Sequence, residues 1–240
     1  MTGASSGIGL ATARALAAAG MRVALAARRV ERLQALAGEL RAGGAEVLAL
    51  SADMRDEGQI MAMFRAVRET WGGVDALVTC AGLSWYSPIA DAETRNWQDM
   101  LDVNVLGTAI CLREGVREMA GRDPAQIVAI SSLAAYRVPV GLDTVFYSAT
   151  KHALRALVEG LRSELVAQGS RMKLGMVSPG QVRTEFQSRG RGLDQRGEQY
   201  DYKIRVLDPE DVADAVCFLL STPPQVQVQD IQMRSIQQLN

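Results

Sequence analysis

Short apolar runs alternate along the chain with longer stretches whose apolar residues recur at helical spacing. RVALAA (22–27), EVLALSA (46–52), ALVTCAG (76–82), QIVAISS (126–132) and KLGMVSP (from 173) have the length and aliphatic content of buried strands. Between them, VERLQALAGEL and EGQIMAMFRAVRETW read as amphipathic helices. This alternation predicts an α/β fold, a doubly wound parallel sheet with helices on both faces. No linker, repeat or low-complexity tract divides residues 1–240, so one domain is expected. QSRGRGLDQRGEQYDYK (187–203), dense in Gly and charge, predicts an excursion ahead of a helix opened by Asp208-Pro209-Glu210, either a lid or a solvated loop.

The pattern is incomplete at its start. MTGASSGIG spaces its glycines like a turn between a buried strand and a helix, and IGLATARALAAAG continues as helix to Gly20. Only Met1 and Thr2 stand before the first glycine. In a doubly wound sheet the strand feeding that turn is central, so the expectation is a sheet lacking its first strand. A gap or collapsed register should lie between RVALAA and ALVTCAG, and the full protein should carry a short apolar strand upstream of Thr2.

Composition narrows the function classes. An apolar content of 48%, 22% charge and a net charge of -1 describe an ordinary globular protein with no electrostatic footprint for nucleic acid. Cys80, Cys111 and Cys217 form no CxxC pair, and His152 is the single histidine, which excludes a metal site or disulfide framework and suits a reducing cytoplasm. Gly or charge breaks every apolar run before membrane length, so no membrane span is expected.

Two places carry candidate chemistry. At the first, Gly3, Ser5, Ser6, Gly7, Ile8 and Gly9 form a turn whose bare backbone admits a pyrophosphate at a helix N-terminus. Where the next strand ends, the acid that would bind a ribose 2′-hydroxyl is replaced by Ala27, followed by Arg28 and Arg29. Guanidinium forks suit a 2′-phosphate, so NADP is favoured over NAD, with Arg28 expected to contribute most. Asp53, closing the following strand, either accepts from an adenine amino group or caps a helix.

At the second place, FYSATKHALRALVEGLRSEL sets Tyr147 and Lys151 one helical turn apart on one face. An ammonium near a phenol, joined by an oxidised nicotinamide, is expected to lower the tyrosine pKa and fit Tyr147 for proton transfer to or from a substrate oxygen. Ser131 and Ser132 end a strand at the carboxyl edge of the sheet, where either hydroxyl can donate to a developing alkoxide. Asn104, in MLDVNVLGTAI, is either a satisfied buried amide or part of a proton relay. In SPGQVRTEF, Pro179 and Gly180 turn the chain, and Val182 and Thr184 reach the nicotinamide. Trp85, Tyr86, Tyr136, Val138, Phe146, Phe186, Tyr200 and Tyr202 follow strand ends, where they wall an apolar pocket or anchor their loops.

With TGASSGIG, DVNVLG, ISS, YSATK and SPG in this order, the chain resembles the short-chain dehydrogenase/reductase family over essentially its whole length. The resemblance implies hydride transfer with NADP(H), Tyr147 as acid and base, Lys151 as ribose anchor and pKa modifier, and Ser132 as donor to the substrate oxygen. It further implies a water-mediated proton path at Asn104, cofactor contacts at Ala81 and Gly82, and a homodimer or homotetramer formed through the helices carrying Tyr147 and Asn104. FYSATKHALRALVEGLRSEL, LDPEDVADAV and LLSTPPQVQVQDIQMR are similar to a branch of the family that acts on lipophilic ketones, aldehydes and secondary alcohols.

Two departures follow. Thr79-Cys80-Ala81-Gly82 stands where the family has Asn-Asn-Ala-Gly, putting a thiol in place of an amide that braces the sheet. RVPVGLDTVF lengthens the loop before Tyr147, which keeps Ser131 open as a substitute for Ser132. A competing reading, a non-catalytic NADP-binding regulatory protein weakened by its short start, is opposed by the intact set of Tyr147, Lys151, Ser132 and Asn104.

Overall fold

The expected alternation is realised in a computed structural model that describes residues 1–141, 143–196 and 198–239. Leu142 of the RVPVGLDTVF loop and Gly197 of the 187–203 segment lie outside the described residues. The Ala-rich helix α1 (Gly7–Ala18) leads to β1 (Val23–Ala27), α2 (Val30–Ala42), β2 (Val47–Ser51), α3 (Glu57–Trp71) and β3 (Ala76–Thr79). Then follow α4 (Thr94–Leu101), α5 (Thr108–Glu118), β4 (Gln126–Ile130), α6 (Val145–Ala167) and β5 (Lys173–Pro179). The chain closes with α7 (Glu185–Gly190), α8 (Pro209–Ser221) and β6 (Asp230–Met233). Asp208 and Asp211 form a capping box around Pro209 and start α8 where the sequence predicts. The excursion before it is partly helical, because Thr184 caps α7 through the Phe186 N–H.

All strand pairs are parallel, in a two-stranded unit β1-β2 and a four-stranded unit β3-β4-β5-β6. Every residue of β4 and β5 is buried, as expected of strands covered on both faces. One face packs Ile60 and Phe64 of α3, Ile110 and Leu112 of α5, and Leu154 and Val158 of α6. On the other, Leu16 of α1, Leu33 and Leu36 of α2, and Val212 and Val216 of α8 form the second core. β6 escapes the apolar-run reading because DIQM alternates polar and apolar residues, the pattern of a half-exposed edge strand.

The gap between β1 and β3 is present, and it is confined to one end of the sheet. At the carboxyl ends of the strands, Met1–Ala4 fills the central position: Thr2 N–H donates to Val78 at 3.0 Å, Ala26 N–H donates to Met1 at 2.9 Å, and Ala4 N–H donates to Ala26 at 3.3 Å. The two units therefore stay one strand apart, and no register collapses. Toward the amino ends, Val23 and Ala24 face Ala76 and Leu77 across a cavity of about 290 Å³, lined also by Leu16, Met63, Phe64, Val67 and Trp71.

Candidate active site

Where Met1–Ala4 completes the sheet, the strand ends open into a cavity of about 280 Å³. Its wall holds all of the glycine-turn residues Gly3, Ser5, Ser6, Gly7, Ile8 and Gly9, with Arg28, Arg29, Asp53, Ala81, Gly82, Pro179, Gly180, Val182 and Thr184. Ser131, Ser132, Tyr147 and Lys151 line the same cavity. The glycines are required by close approach. Gly3 has φ +68°, and a Cβ there would lie 2.8 Å from Ala81 N, while a Cβ on Gly9 would lie 2.2 Å from the Gly3 carbonyl oxygen.

Sequence reading missed the group that steadies this end. The buried Thr2 hydroxyl accepts from both Cys80 and Ala81 N–H at 3.1 Å. Thr2 thus supplies the brace whose loss the Thr79-Cys80 departure suggested. Burial pushes the Cys80 thiol up to about 12, so it is protonated and unreactive near neutral pH.

Around Tyr147 the side chains converge from three elements. Lys151, buried one turn further along α6, donates from Nζ to the Ile130 carbonyl at 3.1 Å, with Nζ 5.8 Å from the centre of the Tyr147 ring. Desolvation pushes the phenol up to about 12, opposed only by the facing Ser132 hydroxyl. The same burial brings Lys151 down to about 8. The upward direction of the phenol shift is opposite to the lowering expected from Lys151: burial sets it, and the Lys151 charge is not among its causes. Ser132, whose Oγ accepts from Ala134 N–H, is the serine that faces Tyr147. Ser131 Oγ is buried with no hydrogen-bond partner among the described residues.

Asn104 lies behind the cavity wall, in a π-helical turn (Asp102–Gly107) joining α4 to α5. It is a satisfied amide: Oδ1 accepts from Leu83 N–H at 2.9 Å, and Nδ2 donates to the Leu83 carbonyl at 2.8 Å and Thr150 Oγ1 at 3.1 Å. Thr150, not singled out from sequence, donates in turn to the Tyr147 carbonyl at 2.7 Å. This chain ties the 83–86 loop to the helix carrying the phenol.

At the opposite end of the cavity Arg28 is exposed, whereas Arg29 donates to Ser5 Oγ, to Ser6 Oγ at 2.6 Å and to Glu185 at 2.9 Å. Asp53 does not cap a helix. Asp56 caps α3 through Gln59 N–H, and Arg55 grips the Asp53 carboxylate and lowers its pKa.

The aromatic wall is smaller than the sequence suggests. Tyr86 and Phe186 line the cavity, Phe186 meeting the Tyr147 ring edge-on at 5.6 Å. Phe146 stacks on Trp97 instead, Tyr136 bonds Asp230, Tyr200 meets Tyr202, and Val138 is half exposed. Trp85 is not among the lining residues. Leu83, Leu133 and Pro139 add apolar surface, and Gln181, Gln187 and Gln238 add amides.

A family model described as short chain dehydrogenase matches residues 1–192. The chain belongs to the short-chain dehydrogenase family. Its oxidoreductase character follows from that membership. Dehydrogenase/reductase SDR family member 11 of Bos taurus is 41% identical over 100% of this chain and 96% of its own length. A farnesol dehydrogenase of Aedes aegypti is 36% identical over 98% of this chain and 94% of its own. Among solved structures, the closed form of a serine dehydrogenase complexed with NADP+ superposes with a TM-score of 0.89 at 30% identity, covering 99% of this chain and 94% of that one. This short-chain dehydrogenase has no helix long and apolar enough to cross a membrane among its described residues.

Proposed function

We propose that the protein transfers a hydride between NADP(H) and a lipophilic ketone, aldehyde or secondary alcohol. The observation that carries this reading is the meeting of the Tyr147 phenol, the Ser132 hydroxyl and buried Lys151 at one end of a glycine-walled cavity. Bound NADP(H) supplies the hydride donor or acceptor; the rest falls to this chain's own residues.

Gly3 to Gly9 would hold the pyrophosphate on bare backbone at the start of α1, in a turn kept tight because a Cβ on Gly3 would strike the Ala81 backbone and one on Gly9 the Gly3 backbone. Arg28 and Arg29 would hold the 2′-phosphate, and Asp53 would stand beside the adenine. Lys151 would hold the ribose hydroxyls, and Ala81, Gly82, Pro179, Gly180, Val182 and Thr184, which line the same cavity, would hold the nicotinamide.

With its pKa near 12, Tyr147 keeps its proton at neutral pH, which suits donation to a carbonyl oxygen as that oxygen gains charge. Ser132 donates a hydrogen bond to the same oxygen. Asn104 acts through Thr150, holding Tyr147 and the Leu83 loop in register. Tyr86, Phe186, Leu133 and Pro139 support an apolar substrate, as does the name of the farnesol dehydrogenase relative. The complexes of related structures with NADP+ support the cofactor.

NADPH oxidation measured against a panel of carbonyl compounds tests the reading. Turnover on apolar ketones or aldehydes is expected, with Tyr147→Phe slower by about 10²- to 10⁴-fold and its NADPH binding retained. Activity confined to small sugars or charged acids overturns the substrate class. Tight NADPH binding without turnover on any carbonyl favours the regulatory alternative.

A further inference from the structure

Glu185 is the first residue of α7, and three guanidinium groups hold its carboxylate. Oε1 accepts from Arg32 Nη1 at 2.5 Å, and Oε2 accepts from Arg29 Nη1 at 2.9 Å and lies 3.0 Å from Arg189 Nε. Arg29 also donates to the serines of the glycine turn, so this carboxylate stands at the end of the cavity where Ala27 leaves no acid. Asp194 Oδ2 also lies 3.9 Å from Arg189 Nε, and two carboxylates among three arginines still leave an excess of positive charge, an environment better matched by a phosphate with its larger charge and three acceptor oxygens. Burial alone would raise the Glu185 pKa, yet the bonds from Arg32 and Arg29 hold it at about 2, so the carboxylate is fully ionised at neutral pH.

We propose that Glu185 is a built-in occupant of the anion site that receives the cofactor 2′-phosphate, so that phosphate and carboxylate compete for Arg29 and Arg32. The proposal rests on the NADP reading given above. It links the anion site to α7. Phe186, next to Glu185, packs edge-on against Tyr147, and the far end of α7 is clasped to the substrate side by Tyr86 N–H donating to the Gly190 carbonyl at 3.1 Å and by Arg191 lying over the Tyr86 ring. Displacing Glu185 frees one end of this short helix while the other stays held. A cofactor lacking the 2′-phosphate cannot produce that release. Glu185 thereby acts as a specificity residue, weakening binding of the phosphorylated cofactor and coupling its arrival to the wall beside Tyr147.

Calorimetric binding of adenosine 2′,5′-bisphosphate and of adenosine 5′-monophosphate to the parent and to Glu185→Gln tests this without turnover. Glutamine keeps the size and an acceptor oxygen, and a thermal melt confirms the fold. The parent should bind the bisphosphate more tightly than the monophosphate, and Glu185→Gln should tighten the bisphosphate about tenfold while leaving the monophosphate within about twofold. Unchanged or weaker bisphosphate binding in Glu185→Gln, with the parent still preferring the bisphosphate, overturns the competition alone. A parent that binds both nucleotides equally overturns the NADP reading and the competition together. Should Glu185→Gln melt early, Arg32→Ala gives the second arm: it removes one arginine of the shared site and should weaken the bisphosphate but not the monophosphate, and equal effects on both count against the proposal.

Discussion

At the carboxyl ends of β1 and β3, Met1–Ala4 bonds to both strands, whereas at their amino ends the same strands face a cavity of about 290 Å³. The proposed chemistry draws only on the closed end, where Thr2 holds the Cys80–Ala81 backbone and the glycine turn meets Ala81. The lining of the open end includes no proposed catalytic side chain; it is mostly aliphatic and aromatic, with Arg22 and Asp75 the charged residues among it. Unfilled apolar space and unpaired strand edges at the open end each lower stability relative to a sheet with its central strand complete.

The largest effect should come from filling that void. Four apolar, strand-forming residues added ahead of Met1 would run between β1 and β3, pair with both edges and occupy the cavity. A rise in Tm on the order of 10 °C is expected, at a few degrees per kcal/mol for a chain of this size. Turnover at saturating cofactor should stay within about twofold, because the closed end is already formed. An unchanged Tm breaks the comparison from one side. A turnover gain matching the stability gain breaks it from the other.

The closed end carries its own cost, of a different kind. Burial holds Lys151 at about 8 against an ordinary 10.5, so below pH 8 the folded state bears the full penalty of a desolvated ammonium. Between pH 8 and 10.5 the folded protein binds fewer protons than the unfolded chain, and stability from this group rises with pH. Lys151→Met removes the penalty, which amounts to about 3 kcal/mol at most. Relative to the parent, its Tm should be higher at pH 7 than at pH 10 by on the order of 5 °C. A difference that does not vary with pH would show that desolvation of Lys151 is not what the closed end costs.

Much of this division could be read in the residues. Apolar runs located β1 to β5, and the spacing of the glycines together with that of Tyr147 and Lys151 selected residues that share one cavity. Spacing conveys distance but not dielectric, which is why the direction of the Tyr147 shift was misread. Thr2 escaped notice because its role depends on bonds to Cys80 and Ala81, nearly eighty positions away. Glu185 reads as an ordinary solvated charge until folding brings Arg29 and Arg32 to it. β6 was hidden by its polar alternation, since one of its faces has little to bury.

Native-state amide hydrogen exchange tests the separation of the two ends most directly. Peptides covering 22–27, along the cavity, should lose protection at least tenfold faster than peptides covering 126–130, which lie between paired strands on both sides, and the residues around Tyr147 should follow the slower group. Equal protection of the two strands, or loss of protection around Tyr147 together with 22–27, would contradict the account.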